Sequence, residues 1–168
     1  MRLLRFVRND TYMTTPTENT STIKTTIRPM VFADLPQVTQ LENVIFPDPW
    51  SQQSFAESLR EERVGCWVAV NDGQVIGYMV TLWVVDEVHI LNLAVSDEFR
   101  RQGIASQMLV NLENHAKKHG TKHFWLEVRS GNLGAQAFYG KWGFMAVGER
   151  KSYYRNGEDA VVMAKNLE

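Results

Sequence analysis

The sequence predicts an α/β domain of the α+β, mixed-sheet kind, with helices packed on both faces of one central sheet. Three observations predict it. From residue 27 onward the apolar spacing alternates between two-residue and helical periods, in the order β-α-α-β-β-β-α-β-α-β-β. Only two helical segments lie between strands in the C-terminal half, so a doubly wound nucleotide fold is a poor match. The length of 168 residues suits one domain that buries its own core.

Residues 1–26 stand apart. Thr, Ser, Asn and Pro dominate from Thr11 to Thr26 without periodicity, which predicts a disordered or loosely attached arm. Residues 1–8 are basic, with an apolar core too short and interrupted for a secretory signal, and Met13 is an alternative start. The domain is expected over residues 27–168. Thr26-Ile27-Arg28-Pro29-Met30 reads as a first strand ending at proline. Asp34 is the expected N-cap of the next helix, with Gln37 as its capping-box partner. Leu35, Val38, Leu41, Val44 and Ile45 give that helix its apolar stripe. Phe46-Pro47-Asp48-Pro49-Trp50 is a rigid loop, and Ser51 caps a second helix carrying Phe55 and Leu59.

Strands are then expected over residues 66–70 and 75–85, joined by the hairpin signal Asn71-Asp72-Gly73-Gln74. Residues 87–95 form the next strand. A helix follows to about residue 119, bounded by Gly120. A short strand spans 124–128 and a helix spans 133–142, closed by Gly143. The last two strands are expected over 145–153 and 160–167, joined through Arg155-Asn156-Gly157-Glu158.

Composition excludes several classes. A net charge of −1 gives no global field toward nucleic acid or anionic membrane. No apolar run is long enough to span a bilayer. A single cysteine, Cys66, leaves no disulfide framework and no cysteine-based zinc site. Within Cys66-Trp67-Val68-Ala69-Val70 it reads as a small buried hydrophobe, and no partner base is near it in sequence.

The most informative stretch covers residues 91–106. An apolar strand ends at a polar turn, and Ile104, Met108, Leu109 and Leu112 then mark a helix. The first N–H groups of such a helix have no intrahelical acceptor, and with the positive end of the dipole they suit a phosphate or pyrophosphate. Gly103 has no Cβ, so an anion can approach the backbone, and Arg100 and Arg101 add positive charge. The alternative is an ordinary strand-to-helix connection with a solvated basic turn.

A second constellation follows. Phe124, Leu126 and Val128 share one face of a short strand; Trp125, Glu127 and Arg129 share the other. Glu127 is either a general base in a cleft or half of an ion pair, with Arg129 or across strands. In the next helix Asn132 and Tyr139 lie nearly two turns apart on one face, with Ala135, Phe138 and Trp142 as a separate stripe suited to the core. This puts Tyr139 on the shoulder of the buried face, its hydroxyl in water or on a ligand. Asn132 reads as an N-cap that can also meet a ligand.

Arg100-x-x-Gly103-x-Ala105 resembles motif A of the GNAT superfamily of acyl-CoA N-acetyltransferases, whose pattern is Gln/Arg-x-x-Gly-x-Gly/Ala. Ala105 stands where many members have a second glycine, a variation the pattern allows. Trp125-Leu126-Glu127-Val128-Arg129-x-x-Asn132, the helix with Ala135, Phe138 and Tyr139, Gly143-Phe144, Tyr153-Tyr154 and residues 157–163 look like one subgroup, the bacterial ribosomal-protein-alanine N-acetyltransferases. The resemblance runs from residue 27 to 167, is densest from residue 91, and leaves out the arm.

The resemblance implies a splayed central sheet and roles by position. Acetyl-CoA would lay its pyrophosphate on the backbone of Arg101, Gln102, Gly103, Ile104, Ala105 and Ser106. Its pantetheine arm would pair along Leu93, Ala94 and Val95, where a backbone N–H can polarise the thioester carbonyl. Asn132 matches a CoA-contacting asparagine, Glu127 the general base and Tyr139 the general acid. An α-amine has a pKa of about 7.7–8.0, so near neutrality much of it is protonated and needs a base. A tyrosine hydroxyl near the sulfur can protonate the departing thiolate. Direct transfer of this kind uses no metal and no covalent enzyme intermediate.

The same resemblance implies a protein partner: the N-terminal alanine of a small-subunit ribosomal protein with an arginine-rich first segment. It implies a cytoplasmic enzyme with no direct contact to nucleic acid or membrane. Glu42, Asp48, Asp86, Glu87, Glu158 and Asp159 are acidic residues near expected cleft loops, and Trp50, Trp83, Tyr153 and Tyr154 are candidate walls of an amine site; a solvated surface and a packed core are the plainer readings of each. Acetylation of small amines or lysine side chains, and a non-catalytic acyl-CoA-binding module, are the competing functions. The last would need neither Glu127 nor Tyr139.

Overall fold

The computed structural model describes residues 24–167; most of the expected arm, with Met13, lies outside the described residues. Among the described residues the elements follow the expected order: β1 (Thr25–Pro29), α1 (Leu35–Ile45), α2 (Gln52–Ser58), β2 (Val64–Asn71), β3 (Gln74–Val84), β4 (Glu87–Val95), α3 (Ile104–Lys118), β5 (His123–Arg129), α4 (Leu133–Lys141), β6 (Met145–Arg150) and β7 (Ala160–Asn166). β1 thus starts two residues ahead of the expected domain boundary.

Local chemistry explains most element ends. Ser51 caps α2 as expected, its Oγ accepting from Ser54 N at 3.1 Å. The β2–β3 turn has Asp72 at φ 46° and Gly73 at φ 79°, the pair of left-handed residues a two-residue hairpin needs. The capping box expected at Asp34 and Gln37 does not form. Asp34 ends a short 3-10 turn (Phe32–Asp34) with helical φ and ψ, and its carboxylate turns back to accept from Val31 N at 2.8 Å and to pair with Arg28. Gln37 instead reaches the sheet, its Oε1 accepting from Val75 N at 2.9 Å. β6 also ends earlier than expected, at Arg150. Asp159 draws in Lys151 Nζ and Ser152 N, both at 2.8 Å, and Ser152 takes φ 49°, so the chain curls out of the ladder.

The strands form one seven-stranded mixed sheet in the order β1-β2-β3-β4-β5-β7-β6. Only β4 and β5 run parallel. Two cores result, one on each face. Ile104, Met108, Leu109 and Leu112 of α3 and Ala135 and Tyr139 of α4 pack with Ile90, Leu93, Phe124, Leu126 and Val128. Leu35 and Val38 of α1 and Phe55 of α2 pack on the other face with Val68, Tyr78, Leu91 and Ala94. Truncating a fully buried leucine such as Leu112 to alanine would cost about 2–5 kcal/mol.

Two features of β4 open the sheet. The β4–β5 ladder holds only three pairs, Glu87↔His123, Val88↔Phe124 and His89↔Trp125. The β3–β4 register then slips: Thr81 faces Ile90 and Val80 faces Asn92, leaving Leu91 as the extra residue of a bulge. A bulge bends its strand and reverses which face later residues take. Val88 and Ile90 point to the α3–α4 core before it; Leu93 and Val95 do so after it. Beyond His89 the two strands therefore diverge, and the central sheet is split by a V-shaped cleft.

Candidate active site

The left wall of the cleft is the second half of β4. Leu93, Ala94 and Val95 pair with Met79, Tyr78 and Gly77 of β3 along one edge. No β5 residue pairs with them along the other. That leaves an unpaired strand edge inside the sheet, the setting in which an extended ligand can add as a strand. Gly77 makes the wall possible, because a Cβ there would stand 2.8 Å from the Ala94 carbonyl oxygen. Two expected site residues are therefore held from behind by a glycine that the sequence did not single out.

The cradle at the start of α3 fits an anion. Arg101 takes φ 60° and Gly103 φ 79°, and the first helical hydrogen bond runs from Gln107 N to Gly103 O at 2.9 Å. The N–H groups of Ile104, Ala105 and Ser106 precede it and have no intrahelical acceptor. Left-handed residues leading into a helix make a concave array of N–H groups. A Cβ on Gly103 would meet nothing within 4 Å, so the space over the turn is open. Ile104 anchors the turn in the core, while Gln102 folds back to donate to Glu98 O at 3.0 Å. The two arginines differ. Arg101 is exposed, whereas Arg100 pairs with Asp97, so less of its charge is available than the sequence suggests.

The right wall is β5. Phe124, Leu126 and Val128 point into the α3–α4 core as expected. Glu127 faces the opposite side and is only 4% exposed. It has an ion pair, though not with Arg129: Arg150 Nε of β6 lies 3.1 Å from Oε1. Oε2 is buried without a hydrogen-bond partner among the described residues. Burial pushes the Glu127 carboxyl above the usual carboxylate range, and Arg150 and then His89 pull it partly back. The result is a carboxylate with one oxygen tethered, one oxygen unused and an increased appetite for protons.

Arg129 does different work. Its guanidinium lies 2.6 Å from Glu158, 3.3 Å from Asp48 and 3.9 Å from the centroid of the Tyr154 ring. Glu158 also accepts from Gly131 N at 3.1 Å. One half-buried cation thus ties together the α1–α2 loop, the β5–α4 turn and the β6–β7 loop.

Tyr139 departs from its expected half-buried position. It is 0% exposed, and with Ala135 it forms the buried stripe of α4; Phe138 and Trp142, expected in the core, are only half-buried. Its ring packs edge-on against Phe144, centroids 5.4 Å apart. Burial first, then the nearby Tyr154, pushes the phenol well above its ordinary pKa, so it keeps its proton. Asn132 caps α4 as expected, with Oδ1 accepting from Ala135 N at 3.1 Å. Tyr139 lies in the α3–α4 core, whereas Glu127 lies on the opposite face of the sheet. Tyr154 stands near enough to both to bear on their charge.

The other acidic and aromatic candidates divide. Glu42 is a buried strut rather than a surface charge: it accepts from the Tyr78 hydroxyl, from Asn92 Nδ2 at 3.2 Å and from Trp50 N at 2.8 Å. Asp86 pairs with Lys122, Glu87 with His89, and Asp159 with Lys151. Trp83 turns to the α3 end, against His115 and His119, and Trp50 packs on Phe55 beside the α1–α2 core. Tyr154 remains at the site, under Arg129. Arg150 and His89 were missed. Their tie to Glu127 crosses strands, and only the sheet order could have revealed it. Cys66 is buried, with its thiol pushed up to about 12 by desolvation, which makes it a packing residue. Among the described residues no group of three or more His, Cys, Asp or Glu could hold a metal ion, and no helix is long and apolar enough to cross a membrane.

Comparison with known proteins agrees with this geometry. Residues 35–144 match the Acetyltransferase (GNAT) family. The chain is 33% identical over 142 residues to the [ribosomal protein bS18]-alanine N-acetyltransferase of Escherichia coli (strain K12), covering 83% of this chain and 95% of that protein. It is 31% identical over 155 residues to an N-alpha-acetyltransferase of Saccharolobus solfataricus, covering 84% and 93%. The crystal structure of the Escherichia coli ribosomal-protein-S18-alanine N-acetyltransferase superposes with a TM-score of 0.79 at 33% identity, over 86% of this chain and 94% of that one. The split sheet, the glycine turn and the relatives converge: this chain is an N-acetyltransferase and belongs to the GNAT family.

Proposed function

We propose that the enzyme transfers the acetyl group of acetyl-CoA to the N-terminal α-amine of a protein, an alanine of a small-subunit ribosomal protein, in the cytoplasm. One observation carries the chemistry. The cleft has an unpaired strand edge and an anion-fitting turn on one wall, and on the other a buried carboxylate with an unused oxygen. The substrate class rests on the bacterial relative, whose own name specifies the alanine of ribosomal protein bS18.

The N–H groups of Gly103, Ile104, Ala105 and Ser106 hold the pyrophosphate, with Arg101 and Gln102 completing the turn. Leu93, Ala94 and Val95 offer the strand edge to the pantetheine arm, and a backbone N–H of this edge polarises the thioester carbonyl. Asn132 lines the same side from the start of α4. Glu127 takes the proton from the attacking amine; its raised affinity for protons suits a base that must work on an amine near neutrality. Tyr139 keeps its proton and presents it to the departing sulfur.

The test offers three acceptors with acetyl-CoA: a peptide beginning Ala-Arg, the same peptide N-terminally blocked and carrying lysine, and a set of small polyamines. Mass spectrometry locates the acetyl group. Acetylation confined to the α-amine of the first peptide is expected. Equal or greater kcat/KM on lysine or on small amines would replace this reading with one of those activities.

A further inference from the structure

We propose a divalent-metal site at the C-terminal end of α3: His115 and His119 chelate one late transition-metal ion, of the Ni2+, Cu2+ or Zn2+ class, with water completing its shell. The site is independent of acetyl transfer. The 15-residue α3 begins at the anion-fitting turn and ends here, so at 1.5 Å per residue the pair sits about 20 Å from that turn. Sequence sets the pair up. His115-Ala116-Lys117-Lys118-His119 places two imidazoles four residues apart, the spacing at which helical side chains stand side by side and at which helical histidine pairs bind zinc. The fold brings the rings together, with centroids 4.5 Å apart and planes 31° from parallel. With metal–nitrogen distances of about 2.0–2.1 Å, two imidazoles sharing one ion at close to a right angle have centroids roughly 4.5 Å apart. A right angle is the one that tetragonal Ni2+ and Cu2+ favour.

The hydrogen bonding fixes which nitrogen is open. His119 Nδ1 lies 2.8 Å from the His115 carbonyl oxygen, which can only accept, so Nδ1 carries the proton and Nε2 keeps its lone pair. A ligating histidine is held in this way, one ring nitrogen donating to a carbonyl and the other taking the metal. His119 is exposed, so an ion from solvent can reach it. His115 is held by packing. The Trp67 and Trp83 rings meet it edge-on at 5.3 and 5.5 Å, and Trp83 lies 5.7 Å from His119 as well. Gly65 makes room for this floor, because a Cβ there would stand 3.0 Å from Trp83 Nε1 and 3.2 Å from Trp67 Nε1. Trp83 Nε1 donates to Thr81 Oγ1 at 3.1 Å, which pins the indole. Both imidazoles thus start near their chelating positions and lose little freedom on binding. The choice of ion follows from the donors. Imidazole suits zinc, copper and nickel, whereas magnesium and calcium need oxygen ligands. Among the described residues no third His, Cys, Asp or Glu completes the group, and Lys117 and Lys118 stand exposed on the same turn. Their charge works against a cation, so the site takes its ion reversibly, unlike a closed four-ligand zinc site.

The test titrates the untagged full chain with NiCl2, read by calorimetry and by tryptophan emission, which a paramagnetic ion beside Trp83 quenches. One equivalent should bind saturably, and Mg2+ should give no signal. His115→Ala and His119→Ala should each weaken Ni2+ binding by about tenfold or more, because each leaves one nitrogen where two acted together. His119 is exposed, so His119→Ala keeps the fold and tests the site without disturbing the tryptophans. His123 is the control: it stands on β5, its Nδ1 2.9 Å from Asn166 Oδ1, and His123→Ala should bind Ni2+ as the wild type does. Ni2+ should also raise the Tm of the wild type in proportion to the logarithm of its concentration, and leave that of His119→Ala unmoved. Absence of saturable Ni2+ binding, or an affinity undiminished in His119→Ala, would overturn the site and leave the pair as ring packing alone.

Discussion

The two walls of the cleft are made of different material. The β4–α3 wall is backbone: an unpaired strand edge and a turn whose donors point into open space, all within residues 93–106. The β5 wall is side chain: Glu127, Arg129 and Tyr154, held by Asp48, Arg150 and Glu158 from loops and strands spread over more than a hundred residues, with Tyr139 buried in α4. A backbone site reads shape and phosphate charge, and it is indifferent to most side-chain changes. A side-chain site holds protons at chosen places, and single atoms matter. If this division is right, substitutions on the two walls should fail in different kinetic parameters.

The largest effect is expected on the side-chain wall. Glu127→Gln preserves shape and removes basicity, so kcat at pH 7 should fall by about 10²-fold or more while acetyl-CoA binding stays near normal. The loss should shrink as pH rises past the α-amine pKa of about 8. Stability should move the other way. The folded-state carboxyl pKa is raised, so its contribution is fully present below the unfolded carboxylate pKa and is lost as pH rises through the folded value. Near neutrality the ionised wild type therefore bears a burial cost that the amide lacks. Thermal melts should show the variant at least as stable as wild type at pH 7, with the advantage gone in acid. A purely structural ion pair with Arg150 predicts the reverse, a destabilised variant whose activity tracks its folded fraction.

Next comes the backbone wall. Gly103→Asp puts a carboxylate over the turn. At about 4 Å from a phosphate, with an effective dielectric near 20, the repulsion is about 4 kcal/mol, enough for a loss of 10²-fold or more in acetyl-CoA affinity by calorimetry. Asp and Asn both tolerate left-handed φ better than other side chains, so the fold should survive. Gly103→Asn is the control: it brings the same shape without charge, and the difference between the two isolates the electrostatic part. Equal affinity in both variants and wild type would show that the phosphate lies elsewhere.

Tyr139→Phe should cost less than the loss of Glu127. A phenol pushed above its ordinary pKa of about 10 gives its proton reluctantly to a thiolate, which is a weaker base than the phenolate it would leave. A hydrogen bond to the departing sulfur is therefore the larger share of its contribution. A fall in kcat nearer tenfold than a thousandfold is expected, with acetyl-CoA KM little changed. Unchanged kcat with a lowered melting temperature would leave Tyr139 as core packing against Phe144.

The same division explains what the sequence made legible. The turn at Gly103 needs only local order: a strand, a glycine and a helix start within fourteen residues. The element order and the β2–β3 hairpin are equally local, because Asp72-Gly73 carries its turn geometry in its own backbone. Glu127 was legible as an oddity, a carboxylate in an apolar strand, but its partner was not. Arg150 reaches it only because β7 inserts between β5 and β6, a fact of sheet order. Tyr139 was misjudged for a related reason. Helical periodicity ranks faces by apolarity and so favoured Phe138 and Trp142, whereas the sheet buries the face carrying Ala135 and Tyr139. The Asp34 carboxylate was claimed by Arg28 and Val31 N, partners that a capping rule does not consider.

Arg129 makes the smallest and most specific prediction. Its charge is spent between Asp48 and Glu158, over the Tyr154 ring, so it is not a group for binding phosphate or stabilising developing charge. Its geometry is that of a clamp on three loops at the mouth where a peptide would enter. Arg129→Ala removes the clamp and leaves two carboxylates facing each other. Breaking a fully buried pair costs about 3–5 kcal/mol. The partners here keep some water, with side chains 20% and 26% exposed, so roughly 1–3 kcal/mol is the expected loss. The backbone wall does not depend on it, and acetyl-CoA KM should stay put. Glu127 keeps Arg150, so kcat should fall only a few-fold. The peptide KM should rise by about tenfold, because roughly 1.4 kcal/mol of loop order must then be supplied on binding. Arg129→Lys should recover little of this, since an ammonium lacks the planar fork that serves two carboxylates and an aromatic face together. Equal losses in peptide KM and acetyl-CoA KM would mean that the two walls are one cooperative unit, and the contrast drawn between them would fail.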